Sequence, residues 1–475
     1  MNILFAHCRK IFLPSCLACT LALTGCTSMS NLGPMLEPKP LDRYELSRSF
    51  EAIASEWPTD TWWKQYDDPQ LNSIMQEALA QAPSLAAAAA RVRLAEATIK
   101  QSGSSLLPQI SGNANVTRSY QETVSGEGME RWSTNPRATL DLAWELDFFG
   151  RNRKALEAAL SSEQASRADE AQARLTLTAS IASSYAELMG QYRLHELALR
   201  TLAIREESTR LVSLRHAQGF ETKAALEQAE STESTARSQV IQSEEDIRQT
   251  QFAIAALMGA GPDRGLHIHL PERPTLKIQG LPKTILSDLL GRRPDVVASR
   301  FQTEAAAYRV GETKAAFYPS FNLTALFGLQ SIGMSDFIDP ASKIASFGPS
   351  LTLPIFQGGR LEGQHLGARA EYDEAVANYD ATVANALQEV ASALTGIRSV
   401  NDQTGHATLA EDKAREAYTL TKTRYEGGLA TYLEVLTAEN TYIAARQSFI
   451  TIETRAFSLN VSLIKALGGG IATSF

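Results

Sequence analysis

The stretch ATLDLAWELDFFGR, Ala138 to Arg151, decides the fold. Ala138, Leu140, Leu142, Trp144, Leu146 and Phe148 alternate with Arg137, Thr139, Asp141, Ala143, Glu145 and Asp147. That period of two predicts a strand with one apolar and one polar face. Directly behind it, Asn152 to Gln218 holds no proline and a single glycine, Gly190. A helix of that extent would run about 100 Å at 1.5 Å per residue, far beyond an ordinary globular helix. A strand feeding so long a helix is the unit around which the rest arranges itself.

The same unit recurs about 210 residues later. Pro83 and Pro108 precede Pro294 and Pro319 by 211 positions, and Gly150-Arg151 precede Gly359-Arg360 by 209. Arg215, Gly219 and Thr222 precede Arg424, Gly428 and Thr431 by the same 209. So constant an offset implies one supersecondary block used twice. In the second block Phe321, Leu323, Ala325, Phe327 and Leu329 alternate with mainly smaller or polar residues, and Phe347, Leu351 and Leu353 mark a partner strand. Ile110 to Val116 is the weakest of the four. Polar stretches, Tyr120–Asn135 and Ser331–Ser342, read as the loops between strands.

Strands of this length and period fit membrane spans with one lipid face and one wet face. Four strands are too few to close a barrel, and open edges in lipid leave backbone groups unsatisfied. A barrel shared among chains is therefore required. Two, three or four copies satisfy closure equally well.

Leucines and small residues step along the long helices by three and four. Ile181, Tyr185, Leu188, Tyr192, His195, Leu199 and Leu202 form one seam, and Val383, Leu387, Val390, Leu394 and Ile397 another. Ile452, Ala456, Leu459, Leu463 and Ala466 do the same on a return helix. This is coiled-coil patterning. Taken alone it fits a plain helical bundle equally well.

The N-terminus sets the compartment. Arg9 and Lys10 precede a short, mostly apolar run, Ile11 to Thr24, too short to span a bilayer. Leu23-Thr24-Gly25-Cys26 follows and resembles a lipoprotein lipobox. That resemblance implies cleavage before Cys26, then diacylglycerol on its thiol and an acyl chain on its amine. The other cysteines, Cys8, Cys16 and Cys19, lie in the leader, so a mature chain could form no internal disulfide. By the same resemblance, Thr27 in place of the aspartate that favours inner-membrane retention in such lipoproteins implies the outer membrane.

The chain has 475 residues and a formal charge of −8, which becomes −10 once Arg9 and Lys10 leave with the leader. An acidic chain without basic clusters argues against nucleic-acid binding. His267 and His269 lack companions for a metal set, and a strand or loop edge is the better reading. Trp62 and Trp63 read as core. No catalytic motif and no phosphate loop stands out, so the chain is not expected to be an enzyme.

Several motifs together carry a family resemblance. Thr61-Trp62-Trp63-Lys64-Gln65-Tyr66-Asp67-Asp68-Pro69, Trp144 to Arg151, Leu289 to Val296, Pro354 to Arg360, and Arg424-Tyr425-Glu426-Gly427-Gly428 with Val435 to Ala438 resemble the TolC-type outer-membrane efflux factors. The lipobox is similar to that of their lipoprotein branch, typified by OprM and NodT. Ile285-Leu286-Ser287-Asp288 departs from the family's Ile-Pro-Ser-Asp, and Thr437 stands where some relatives carry a second acid.

The resemblance implies an α+β membrane protein. Three chains would build a twelve-stranded transmembrane β-barrel, four strands per chain, continuous with a helical coiled-coil barrel in the periplasm. It implies passive conduction of substrates fed by a periplasmic adaptor and an inner-membrane resistance–nodulation–division pump. The rival reading is a lipid-anchored coiled-coil scaffold or adaptor without its own pore.

The expected organisation is a leader over 1–25, an equatorial segment over 26–68 and a first block over 69–260. That block holds strands 109–124 and 137–148 and helices 152–218 and 220–258. A linker over 261–284 leads to a second block over 285–467, with strands 320–331 and 347–356 and helices 361–427 and 429–467; the tail is 468–475. By the resemblance, Glu434 and Thr437 line the pore constriction. Arg424 and Arg215 are candidates to neutralise it, and Gly219, Phe220, Gly428 and Leu429 form the tips that an adaptor would meet.

Overall fold

Gln109 to Gln121 (β1) and Arg131 to Leu146 (β2) form an antiparallel hairpin, continued in the sheet by Ser320–Gln330 (β3) and Lys343–Thr352 (β4) in the order β1-β2-β3-β4. The computed structural model describes residues 33–40, 43–45, 50, 57–121, 131–271 and 291–470. Cys26 with its leader, Ile285–Asp288, the loop 122–130, most of the linker and residues 471–475 lie outside them.

The register sorts the sheet into two chemical faces. Ile110, Leu142, Ala325 and Phe347 lie in one row across all four strands, and Leu140 and Phe327 lie in the next. The opposite rows read Ser111, Asp141, Leu326, Ser346 and Asn113, Thr139, Gly328, Ile344. On the apolar face Ile110, Leu140, Phe327 and Phe347 are each more than half exposed within one chain. The polar face is tied by hydrogen bonds from Asn113 and Thr139 to Asp141 at 2.7 and 2.9 Å. An isolated sheet with a bare apolar face and two unpaired edge strands, β1 and β4, is incomplete in water and in lipid alike.

Two strands differ from the sequence expectation. β2 begins at Arg131, not 137, because the β1–β2 hairpin continues above the point where β3 joins, Arg137 pairing Gln330. Pro136 is tolerated there because its side of β2 lies past the end of β3, where no ladder bond needs its missing N–H and its carbonyl still accepts the Ser331 N–H at 3.3 Å. β4 runs Lys343–Thr352 rather than 347–356, since Lys343 to Ser346 pair with Leu329 to Leu326 despite their small and polar composition.

The helices longer than one turn among the described residues are α1 (Pro69–Gln81), α2 (Pro83–Ser104), α3 (Arg151–Ala217), α4 (Lys223–Leu257), α5 (Pro294–Ala315), α6 (Arg360–Glu426) and α7 (Tyr432–Ala466). α2 and α5 each have 22 residues, α3 and α6 each 67, and α4 and α7 each 35. The return helices begin three residues later than expected, at Lys223 and Tyr432, because Thr222 and Thr431 stop as N-caps. No helix among the described residues is long and apolar enough to cross a membrane.

The chain divides into two compact units. The strand-bearing unit takes Val92–Ser166 and Ser299–Asp380 with the N-terminal piece. In it the corner between β2 and α3 is pinned by charge. Arg151 reaches both oxygens of Glu145 at 2.9 and 2.7 Å, and Asp147 accepts from the Arg153 backbone at 2.8 Å. These bonds account for the Trp144–Arg151 motif.

The helical unit holds the remainder. Trp62, Trp63 and Tyr66, on a 3₁₀ turn, are 2–3 % exposed and pack with Ile74, Met75, Ile181, Tyr185, Leu188, Phe457 and Val461. Asp68 caps α1 through the Leu71 N–H at 2.9 Å and accepts the Tyr185 hydroxyl at 2.6 Å. Arg293 bonds Asp295 at 3.0 and 2.5 Å, Glu389 at 2.7 Å and the Ala466 carbonyl at 3.2 Å, tying α5, α6 and α7. Burial opposes the charge of Arg293, yet those two carboxylates outweigh it and raise its pKa. Gly190 lets α7 approach α3: a Cβ there would lie 2.5 Å from Thr454 Oγ1. Of the expected seam on α3, Ile181, Tyr185 and Leu188 are buried, while Leu199 is 46 % exposed.

Candidate functional site

Both hairpin tips are built by the same backbone device. α3 ends with Gly219 at φ 78° and α6 with Gly428 at φ 74°. Phe220 and Gly219 donate to the carbonyls of Arg215 and His216 at 2.8 and 2.9 Å, and Leu429 and Gly428 to those of Arg424 and Tyr425 at 2.8 and 2.9 Å. This paired closure needs a left-handed residue at its centre, which glycine adopts without a Cβ penalty. The residue after each glycine does not fold back: Phe220 is 71 % and Leu429 73 % exposed. Two apolar side chains therefore crown the tips.

The restart of each return helix separates the two tips. Thr222 accepts from the Ala225 N–H at 3.2 Å. Thr431 forms a full capping box, in which Glu434 N–H donates to the Thr431 hydroxyl at 3.4 Å and the Glu434 carboxylate accepts from the Thr431 N–H at 2.6 Å. The Thr431 backbone and then its hydroxyl hold the Glu434 carboxyl below the usual range, with the Arg424 charge assisting. Glu434 and Thr437 are both exposed on α7, and the Thr437 hydroxyl bonds the Leu433 carbonyl at 2.8 Å.

The two arginines face other partners. Arg424 donates to the Leu429 carbonyl at 3.2 Å, steadying the tip. Arg215 donates to the Tyr425 carbonyl at 3.1 Å and lies over the Tyr425 ring. Within one chain neither forms an ion pair with Glu434 among the described residues, because the carboxylate is already turned to Thr431. The Tyr425 hydroxyl donates to Glu221 at 2.9 Å, and burial, followed by that bond, pushes the phenol pKa up. Tyr425, Tyr432, Val435, Leu436, Tyr418 and Val212 form an apolar core above the tips.

Arg205 and Glu439 sit deeper, and neither stands out in the sequence as a site residue. Their side chains are 5 % and 0 % exposed, and Nε meets the carboxylate at 2.8 Å. A charge at a position that should be apolar, seven residues beyond the buried Tyr432, is the one signal the sequence offers.

His267 bonds the Asp263 carbonyl at 2.9 Å, and the His269 backbone N–H donates to Gln70 at 2.9 Å. Both are exposed on the segment after α4.

Three comparisons bear on these elements. The sequence model of the family described as "Outer membrane efflux protein" matches twice, over residues 74–260 and 285–469. The fusaric acid resistance protein FusA of Burkholderia cepacia is 35 % identical over 74 % of this chain and 68 % of its own length. The pyoverdine export outer membrane protein OpmQ of Pseudomonas aeruginosa is 31 % identical over 86 % of this chain and 87 % of its own. The crystal structure of the outer membrane protein VceC from Vibrio cholerae superposes with a TM-score of 0.82 at 37 % identity, covering 88 % of this chain and all of that one.

Proposed function

The chain belongs to the outer membrane efflux protein family, and we propose that three copies of it form a channel through which substrates leave the cell. The family reading replaces the rival of a scaffold without a pore. One observation carries the channel: a four-stranded sheet with an apolar face, a polar face and two unpaired edges. Such a sheet becomes stable in a bilayer only when further copies complete it, with the polar rows turned inward around water. Three copies give twelve strands, a barrel wide enough for a lumen, and the two matching blocks per chain would contribute six helical hairpins.

Energy comes from elsewhere. An inner-membrane pump of the resistance–nodulation–division class and a periplasmic adaptor would feed the tunnel, the adaptor engaging Gly219, Phe220, Gly428 and Leu429. The exposed Phe220 and Leu429 support that contact, since a helical hairpin of a partner can bury them. Glu434 and Thr437 would line the narrowest ring. Lipid on Cys26 would add an anchor beside the barrel.

Native mass spectrometry in detergent and single-channel recording test the reading together. Trimers that conduct are expected. A stable, folded monomer without conductance would overturn it.

A further inference from the structure

The second hairpin meets α3 at an arginine–glutamate contact that is buried yet incompletely bonded. Arg205 of α3 and Glu439 of α7 meet at 2.8 Å with side chains 5 % and 0 % exposed. Arg205 also donates to Asn440 at 2.8 Å. Neither Glu439 oxygen accepts a well-formed hydrogen bond, and Arg205 Nη1 has none. The short Nε contact supplies Coulomb attraction without good alignment.

Charge and aromatic surface flank the pair. α6 presents Lys422 and Tyr418, and the Tyr418 ring stacks on Tyr442 of α7 at 6.1 Å. Lys422 in turn reaches Glu207 of α3 at 3.2 Å and Glu426 at 4.0 Å. Burial raises the Glu439 carboxyl to about 7, against the pull of Arg205 and Lys422. Ionising a carboxylate that is fully enclosed and accepts no well-formed hydrogen bond costs more than the nearby guanidinium returns, so the contact holds α7 best with Glu439 neutral.

We propose that Arg205 and Glu439 are the positioning residues of the constriction, fastening α7 to α3 and releasing it when Glu439 ionises. The inference rests on the channel reading, because Glu434 and Thr437 ride on the same helix. The sign follows from linkage. With α7 held, Glu439 keeps its proton up to about pH 7; with α7 released into water, the carboxyl returns to the ordinary range. Protonation therefore favours the fastened state. Release gives up one proton per chain, and its equilibrium rises by at most about tenfold per pH unit per chain between the two values.

The test records wild-type and variant channels in planar bilayers from pH 5 to 8. Wild-type open probability should rise through about pH 7. Glu439→Gln, close in size and uncharged, should remove that step while trimers still assemble. Arg205→Gln should move the step to higher pH, since the guanidinium lowers the carboxyl pKa; a merely structural role would not shift a midpoint. Infrared titration of the protonated carboxyl band, absent from Glu439→Gln, reads the same group without a pore. A conducting wild type whose pH profile Glu439→Gln leaves intact overturns the inference, as does the absence of that band. A wild type that does not conduct, yet shows the band, strikes the channel reading instead.

Discussion

The guanidinium of Arg215 lies 4.7 Å above the ring of Tyr425, joining the last turn of α3 to the last turn of α6. The same arginine holds the Tyr425 carbonyl, and Glu221, just past the first tip, accepts the Tyr425 hydroxyl at 2.9 Å. One tyrosine therefore ties the two hairpins together at their tips. Each hairpin has the same turn, so this asymmetric cross-link distinguishes them at the tips, while Lys422–Glu207 and Arg205–Glu439 join them elsewhere along their length.

Tyr425→Phe keeps the ring under Arg215 and removes only the bond to Glu221. A hydrogen bond to a charged acceptor is worth about 1.5–3 kcal/mol, and Tyr425 is buried here. We expect trimers of unchanged thermal stability in the strand-bearing part, with larger mean conductance in bilayers. Arg215→Ala should go further, because it removes the stacked cation as well. Equal conductance of all three proteins would dismiss the cross-link as a restraint.

Gly219 and Gly428 have open space where a Cβ would project, with nothing within 4 Å. The cost of substitution is therefore purely one of backbone. Replacing either by Val should destabilise its tip by about 1–2 kcal/mol, and replacing it by Asn by clearly less. Hydrogen exchange at Phe220 and Leu429, whose amides close the turns, is the direct measurement. Valine and asparagine variants exchanging alike would contradict the assignment.

Arg293 is 5 % exposed and serves two carboxylates and a carbonyl at once. Arg293→Met removes all four bonds. Because Asp295 and Glu389 are 28 % and 46 % exposed, water recovers part of the loss. We expect about 2–3 kcal/mol of destabilisation, below the range for a fully enclosed pair. Thermal unfolding of the detergent-solubilised assembly measures it, and the Lys variant should lie between wild type and Met.

What the sequence makes legible follows from local rules. The alternation from Ala138 to Phe148 needs only its own residues to be read, and the sheet register keeps those apolar positions on one face. The turns at Gly219 and Gly428 are equally local. The start of β2 at Arg131 is different, since Ser133, Asn135 and Pro136 carry no strand signal; pairing with β1 imposes it. Arg205 and Glu439 escape for a related reason: each alone reads as a solvated charge, and only the fold brings them together. Glu434 draws notice for its charge, although Thr431-x-x-Glu434 also spells the capping box that the structure contains.

Lipid attachment has a direct test. Labelled palmitate should enter the wild type and not Cys26→Ala, and equal labelling would end that expectation. Since the barrel itself would hold the chain in the bilayer, the variant should lower the yield of assembled trimer more than its final membrane residence.

Glu434 has two roles to separate. As the third residue of the capping box it holds the start of α7, and its lowered pKa fixes the sign of the pH effect. The stabilisation is present above the ordinary carboxylate range and is lost as pH falls through the lower folded value. As a ring of three charges it would also attract cations, and repulsion within the ring would oppose closure. Glu434→Gln keeps an oxygen for the Thr431 N–H and removes the charge, whereas Glu434→Ala removes both. Divalent-cation block in planar bilayers should weaken in both variants, while fraying of the first turn of α7, read by hydrogen exchange, should appear mainly in Ala. Retained block in Gln, with normal trimers, would leave Glu434 a helix cap alone and move the constriction elsewhere on the hairpin.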